Sequence, residues 1–319
     1  MAKRPYVYGP VASRRLGFSL GVDIIPFKTC TLDCVYCQLG STGRTTVRRG
    51  RWFPPADILA QIKEVLDSGQ RVDVITFSGS GEPTLCRDLG ALIRAIKKMT
   101  RVPVAVLTTA TLLTRREVRR DLVAADIVVP SLDAVPRRVF RRVNRPDAGL
   151  DNPKIIDGLV RFRREFEGEI RLEIMLVKGV NDSPADIRAL EAAVARIRPD
   201  RIELNTVVRP PADAGARPLS PAALARIQAQ LGPRAEVVVS FAKKGRTSTK
   251  PPQRAGGLDD AILATVSRRP QTAPDIAVAL GRPLDEVSAA LSRLGRARRL
   301  RRLSHGGATH FAGPRARFT

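Results

Sequence analysis

The sequence has 319 residues and a formal net charge of +24, because 55 Lys and Arg residues outnumber 31 Asp and Glu residues. An apolar content of 43% excludes wholesale disorder. No apolar run approaches the length that spans a bilayer, and the start, MAKRPYVYGPVASRR, lacks the apolar segment of a secretion signal, so we expect a cytoplasmic protein. The charge indicates a polyanionic partner, with nucleic acid the leading candidate.

From Leu16 onward, extended apolar runs alternate with segments of helical spacing. The extended runs are GFSLGVDIIP, VDVITFSG, VPVAVLTTA, ADIVVPSLD, EIRLEIMLVKG, RIELNTVV and a last strand, AEVVVSF. Pro55 and Pro184 suit the first turns of two helices, and Ser183 and Ser220 suit N-caps. Six β–α units with apolar strands predict an α/β fold with a parallel sheet covered by helices. Periodicity alone is compatible with a partial barrel and with an open, doubly wound sheet.

After Phe241 the composition changes. Residues 242–257 have no apolar period and are rich in Lys, Pro and Gly, as in a linker. Residues 258–319 then read as a helix, two helices around a GRP turn with Thr272 as N-cap, and a hairpin turning at HGG. This order predicts a small winged helix-turn-helix domain. From Ala242 onward there are 16 basic and 5 acidic residues, a net charge of +11.

Three of the four cysteines lie in one loop, FKTCTLDCVYCQLG, directly after the first predicted strand. Cys30, Cys34 and Cys37 have C-x3-C-x2-C spacing. A structural zinc site needs a fourth ligand, which only Cys86 or the two histidines of the predicted wing offer, and a redox C-x2-C pair leaves Cys30 unexplained. A cubane iron–sulfur cluster with three thiolate ligands and one open iron accounts for all three cysteines. Cys86 is then expected to be a small buried residue.

This loop, with Tyr36 just before the last cysteine, resembles that of the radical S-adenosylmethionine (SAM) superfamily. SGSGEP at 78–83 is similar to the Gly-Gly-Glu element of that superfamily. The resemblance covers roughly residues 10–240 and implies a partial (β/α)6 TIM-type barrel over residues 1–241. It also implies that the three cysteines hold a [4Fe-4S] cluster, that SAM chelates the open iron, and that reductive cleavage of SAM gives a 5′-deoxyadenosyl radical.

The other candidate site residues fall at the predicted C-terminal ends of strands, where chemistry gathers in α/β barrels. By resemblance, Tyr36 lies against the adenine of SAM, and the segment Gly79, Ser80, Gly81 and Glu82 suits the methionine ammonium. Ser131 and Asp133 either hold the ribose hydroxyls or cap the next segment. Asn205 either meets the adenine or satisfies buried backbone, and Glu173 is a weaker candidate.

The opening YGPVASRRLGFSLGVDIIPFKTCTLDCVYCQLG, together with LNTVVRPP, is similar to the group related to wyosine-base synthases, which act on tRNA. The chain departs from that pattern in two ways. With only Cys86 remaining, it cannot supply three thiolates for a second cluster, and it has Thr109 and Ala110 where many relatives carry Asn-Gly. We therefore expect modification of tRNA or another RNA, with wyosine synthesis itself in doubt.

Two other functional classes remain open. One is radical modification of a protein or peptide, including glycyl-radical activation, with the winged helix holding a polypeptide. The other is a non-enzymatic iron–sulfur regulator that binds DNA, against which the intact Gly-Glu element argues. The nucleic-acid hypothesis assigns RNA contacts to the arginine strip, defined as Arg298, Arg299, Arg301 and Arg302, which is otherwise a solvated basic edge. An electron donor such as flavodoxin or ferredoxin is also implied.

Overall fold

The first unit of the protein is built around a mostly parallel sheet. The computed structural model describes residues 5–13, 15–238, 257–267 and 270–314, and within these ranges eight strands pair in chain order. They are β1 (Val7–Ser13), β2 (Gly17–Val22), β3 (Val74–Phe77), β4 (Val104–Thr108), β5 (Ile127–Pro130), β6 (Glu169–Leu176), β7 (Arg201–Thr206) and β8 (Ala235–Val237). β1 runs antiparallel to β2, and every later pair is parallel. Strand order that never reverses belongs to a partial barrel and not to a doubly wound sheet, so the predicted fold is confirmed.

Seven helices of the described residues connect these strands. They are α1 (Pro55–Asp67), α2 (Leu89–Met99), α3 (Arg116–Leu122), α4 (Arg137–Asn144), α5 (Asn152–Glu165), α6 (Pro184–Ile197) and α7 (Pro221–Leu231). The start signals act as predicted: the Ser183 hydroxyl accepts from the Asp186 N–H at 3.2 Å, and the Ser220 hydroxyl accepts from the Ala223 N–H at 3.2 Å. Each bond satisfies an N–H group that the helix itself leaves unpaired.

The strands differ in how they divide apolar and polar side chains. All four residues of β3 are buried, as expected for a parallel strand covered on both faces. β6 instead alternates: Ile170, Leu172 and Ile174 are fully buried, while Arg171 and Glu173 are only partly buried. Since neighbouring residues of a strand face opposite sides, β6 directs its polar side chains to the barrel interior. The sheet therefore carries a polar lining on this side of the barrel.

The C-terminal unit has its own apolar core. It contains α8 (Leu258–Val266), β9 (Gln271–Thr272), α9 (Ala273–Leu280), α10 (Leu284–Arg296), β10 (Arg301–His305) and β11 (Ala308–Ala312), with a three-stranded sheet in the order β10-β11-β9. Thr272 and Asp275 form a capping box at the start of α9, and the hairpin turns at Gly306 and Gly307, both at positive φ. These elements occur in the predicted order, and the winged-helix class stays a prediction. The predicted linker, 242–257, and the end of AEVVVSF lie outside the described residues, except for Gly257.

The two units are in contact. α8 and α9 lie against β1, an edge strand of the barrel sheet. The ring Nε2 of His305, at the end of β10, lies 3.0 Å from the carbonyl oxygen of Val207, just past the C-terminal end of β7. The hairpin of the C-terminal unit therefore touches the barrel mouth. Within the described ranges, no helix combines the length and apolarity that crossing a membrane requires.

Candidate active site

Most of the predicted site residues meet at one cavity of about 280 Å³ at the C-terminal ends of the strands, called here the cysteine cavity. The cysteine loop follows β2, the segment 79–82 follows β3, and Ser131 follows β5. The predicted residues that line this cavity are Cys30, Cys34, Tyr36, Cys37, Gly79, Ser80, Gly81, Glu82 and Ser131, together with the weaker candidate Glu173. Asn205 lines a second cavity that adjoins the first, and Asp133 lies behind the wall, in contact with Tyr36.

The cysteine loop is held in shape by hydrogen bonds that include its sulfur atoms. The Cys37 N–H donates to the Cys34 carbonyl at 3.0 Å, which closes a turn between two of the cysteines. The Lys28 ammonium donates to Cys37 Sγ at 3.1 Å, and the Asn144 amide donates to Cys34 Sγ at 3.4 Å. Donors of this kind stabilise thiolates over thiols. Neither Lys28 nor Asn144 was among the residues predicted from the sequence.

The buried thiols need a positive partner to ionise. Burial, followed by the nearby negative charge of Glu82, raises the pKa of Cys30 to about 12. Burial also raises the pKa of Cys34 well above its usual range. A metal centre supplies the missing positive charge and deprotonates its thiol ligands, so the three thiols at this cavity fit a metal cluster. Within the described ranges, no three His, Cys, Asp or Glu side chains converge on the position of a single metal ion.

Cys86 lies apart from this cavity. Its side chain is 4% exposed, and burial raises its pKa to about 11. Its backbone pairs with Gly50 in an isolated bridge that ties the stretch between the cysteine loop and α1 to the turn after β3. Cys86 is therefore buried, as expected from the sequence, and His305 lies at the contact between the two units. Neither of these potential zinc ligands is among the described residues that line the cysteine cavity.

Two glycines allow the segment after β3 to pack against the chain that follows β2, which includes the start of the cysteine loop. A Cβ at Gly81 would lie 1.9 Å from the Thr29 carbonyl oxygen, and one at Gly79, where φ is 133°, would lie 2.8 Å from Asp23 Cγ. The segment and the loop also exchange backbone bonds: the Lys28 N–H donates to the Ser80 carbonyl at 2.7 Å, and the Glu82 N–H donates to the Thr29 carbonyl at 3.0 Å. Any side chain at position 81 would break this contact.

The Glu82 carboxylate joins the ends of two strands. It is 1% exposed and accepts from the Thr84 N–H at 3.0 Å, the Thr108 hydroxyl at 2.6 Å and the Thr109 N–H at 2.6 Å. These bonds satisfy the buried charge and tie the end of β4 to the segment after β3. Thr109 thus contributes its backbone here. The structure therefore shows Glu82 fixing the end of β4 relative to the segment after β3. Its predicted contact with the methionine ammonium of SAM stays a prediction.

Asp133 orients Tyr36. The tyrosine hydroxyl donates to Asp133 Oδ2, which also accepts from the Asn144 amide at 2.6 Å, while Oδ1 accepts from the Met175 N–H at 2.9 Å. Burial raises the pKa of Asp133 to about 6, against the opposing effect of these bonds. The chain from Asp133 through Asn144 reaches Cys34 Sγ, so one carboxylate positions both the aromatic ring and a donor to sulfur. Its predicted contact with ribose stays a prediction, as does that of Ser131.

The second cavity, of about 340 Å³, is lined by two members of an ion cluster, Arg15 and Glu173. The Arg15 guanidinium lies 2.9 Å from Glu173 Oε1 and 2.6 Å from Glu203 Oε2. Asn205 donates to Glu173 Oε1 at 3.3 Å. Glu203 is fully buried, and that burial raises its pKa even though Arg15 opposes the effect. Arg15 was not predicted from the sequence, since nothing local marks an arginine in the turn between two strands as an interior residue.

A family model for the radical SAM superfamily matches residues 24–190, a range that includes the cysteine loop, the segment 79–82 and Ser131. The chain belongs to the radical SAM superfamily. It is accordingly an enzyme with a [4Fe-4S] cluster and SAM as cofactors, and the three thiols at one cavity fit that cluster. The resemblance stated from the cysteine loop and SGSGEP is confirmed.

The chain is similar to proteins of several organisms. It is 42% identical over 207 residues to a UPF0026 protein of Synechocystis, covering 65% of this chain and 77% of that one. It is 37% identical over 295 residues to a protein of Brachyspira hyodysenteriae named GTPase Obg; the match covers 92% of this chain but only 43% of that relative's length. A solved structure of TYW1 with a lysine-pyruvate adduct bound has a TM-score of 0.51 at 20% identity, covering 69% of this chain and 74% of that one. At this identity the likeness concerns the fold.

Proposed function

We propose that this radical SAM enzyme modifies RNA, with tRNA as the leading substrate. One observation carries the catalytic part of the proposal: the three thiols and the segment 79–82 line a single cavity at the barrel mouth. In the proposed site, Cys30, Cys34 and Cys37 hold the cluster, and the segment Gly79–Glu82 receives the methionine part of SAM. Tyr36 and Asn205 lie along the adenine, and Ser131 and Asp133 face the ribose.

The cluster and SAM, when bound, supply radical chemistry, and the protein supplies orientation and seclusion. Lys28 and Asn144 donate to the sulfur atoms of Cys37 and Cys34, which stabilises the thiolates. Asp133 fixes the Tyr36 ring, and Glu82 fixes the ends of β3 and β4 relative to each other. These contacts hold the cofactor site in one geometry, which is what a reaction with an unselective radical requires.

Charge supports RNA as the substrate. The net charge is +24, and all four members of the arginine strip are exposed on the C-terminal unit. Arg299 has one ion-pair contact, 3.7 Å from Asp260, and the Arg302 guanidinium lies 5.9 Å from the Phe311 ring centre. Neither contact neutralises the strip, because exposed pairs at such distances contribute little. An exposed row of guanidinium groups is suited to phosphates.

The proposal includes a reductant and a compartment. An electron donor such as flavodoxin or ferredoxin would deliver the electron that SAM cleavage consumes. Four free thiols suit the cytoplasm, where cysteines stay reduced.

The test is an anaerobic assay for 5′-deoxyadenosine. Protein with reconstituted iron is given dithionite and SAM, together with total cellular tRNA, bulk protein extract, or neither. We expect tRNA to raise 5′-deoxyadenosine formation and the protein extract to leave it at the level without substrate. Stimulation by protein extract alone would replace the RNA proposal with peptide modification, and absence of SAM cleavage under every condition would refute the catalytic part.

A further inference from the structure

The second cavity is bounded by both units of the protein. One end is formed by the cysteine loop at Cys37 and Gln38, and the interior wall by the barrel strands at Glu173 and Asn205. Another part of the lining comes from β1 and β2, and a further part comes from the C-terminal unit, with Ala264 and Thr265 on α8 and Gln271 on β9. Tyr36, Cys37, Gly79, Glu173 and Met175 line both this cavity and the cysteine cavity. A molecule in the second cavity would therefore lie directly beside the proposed SAM site.

We propose that the second cavity receives a single nucleotide of the RNA substrate, turned out of its stack, and that the C-terminal unit is a wall of this nucleotide site. The inference rests on the proposed function. A volume of about 340 Å³ is at the lower end of the range for ligand sites and suits one nucleotide, whereas a double helix cannot enter. Enzymes that act on a base inside a helix bring that base out into a pocket of this kind.

The lining of the cavity fits a nucleotide. Two guanidinium groups, those of Arg15 and Arg209, line the cavity together with the Glu173 carboxylate. Amide side chains add both donors and acceptors, as the edge of a nucleobase requires; these are Gln38 and Gln271. Arg15 is held by Glu173 and Glu203, and the Arg209 guanidinium lies 3.4 Å from the Gln38 side-chain oxygen at the cysteine-loop end. A phosphate at the cysteine-loop end of the cavity would meet the Arg209 guanidinium.

The contact between the units connects the arginine strip to this cavity. β10 carries Arg301 and Arg302 at its start and ends at His305, whose ring meets the carbonyl of Val207. Val207 is two residues before Arg209, which lines the cavity. An RNA backbone held along β10 would therefore run toward the barrel mouth, where one nucleotide could leave the strand and enter. The C-terminal unit would then bind the RNA backbone along β10 and contact the inserted nucleotide through different residues, on α8 and β9.

Ala264 offers the test, because a larger side chain there would fill the nucleotide site from the side opposite the barrel. The variants Ala264→Val, Ala264→Leu and Ala264→Phe form a series of increasing volume, and Ala195→Phe on the exposed face of α6 is the matched control. Total cellular tRNA is the probe. Two quantities are measured for each variant: retention of tRNA on a filter, and the tRNA-dependent increase in 5′-deoxyadenosine.

We expect tRNA-dependent SAM cleavage to fall with side-chain volume, to at most a tenth of the wild-type value for Ala264→Phe, while tRNA retention changes less than twofold. Ala195→Phe should match the wild type in both measurements. Tm values identify any variant that fails to fold, and the smaller Val and Leu substitutions then decide the result. Stimulation of Ala264→Phe within twofold of the wild type would overturn the inference, and so would loss of retention in parallel with turnover, since Ala264 would then belong to the docking surface. If protein extract alone stimulates the wild-type protein, the proposed RNA substrate is wrong. The nucleotide site, which rests on that proposal, is then wrong as well.

Discussion

Replacing Gly81 with alanine should separate the segment after β3 from the cysteine loop. The new Cβ would lie 1.9 Å from the Thr29 carbonyl oxygen, whereas real Cβ atoms essentially never come closer than 3.0 Å, so the two segments must move apart by about 1.1 Å. The bond from the Glu82 N–H to that same oxygen, now 3.0 Å long, would then exceed hydrogen-bonding distance. Overpacking costs about 1–3 kcal/mol and a lost backbone bond about 1 kcal/mol, so we expect a total of about 3 kcal/mol.

For a unit of this size, a loss of about 3 kcal/mol corresponds to a fall in Tm of about 10 °C. Thermal unfolding of the iron-free protein measures that fall, and the iron bound per chain after anaerobic reconstitution reports on the cysteine loop directly. The control is Gly149→Ala, an exposed site where the new Cβ would approach nothing closer than 3.4 Å, and it should leave both values unchanged. A Gly81→Ala protein with wild-type iron content and a Tm within 1 °C of the wild type would refute the reasoning.

Four further predictions concern buried polar groups and the basic surface. Arg15→Met leaves the buried Glu203 carboxylate without its cation and should cost about 3–5 kcal/mol in urea unfolding, part of which Arg15→Met/Glu203→Gln should restore. Asn144→Leu removes a donor to Cys34 Sγ and should lower the cluster's reduction potential in an EPR titration, because the reduced state carries more negative charge. Burial lowers the pKa of His310, so the folded protein binds that proton less readily than the unfolded chain. Its stability should therefore decrease as pH falls below about 6.5, a dependence that His310→Gln should reduce in unfolding at pH 5 and 7. Replacing the arginine strip with glutamine should weaken tRNA retention and reduce the slope of log affinity against log salt by up to about 3, and an unchanged slope would contradict a phosphate-binding role.

The sequence predicted the parts of the fold that depend on local patterns. Apolar runs placed the strands β2 to β8, and helix start signals at Ser183 and Ser220 became real caps. β1 was not predicted, since VYGPVAS contains Gly9 and Pro10, which interrupt a strand pattern, and it is stable as an edge strand paired only with β2 among the described residues. The cysteine loop was predicted because three ligands within eight residues form a local signal.

The site residues that the sequence did not reveal act over long separations. Asn144 lies 110 residues from Cys34 along the chain, and Arg15 lies 188 residues from Glu203. Periodicity is read in windows of 11–18 residues, so no local pattern connects such pairs. These contacts can be seen only once the folded barrel brings the two members of each pair together. The same reasoning explains Asp133, for which the sequence left a ribose contact and a cap of the next segment as alternatives, and whose bond to Tyr36 only the structure shows.

The position of α8 and α9 against β1 also bears on how the protein behaves at high concentration. β1 is an edge strand, and an edge strand left bare presents unpaired peptide groups that recruit other chains into intermolecular sheets. The C-terminal unit therefore covers part of an aggregation-prone edge of the barrel sheet, in addition to any part it takes in catalysis. A fragment shortened to its first 238 residues would lose that shield, and its self-association would have to be distinguished from a loss of chemistry.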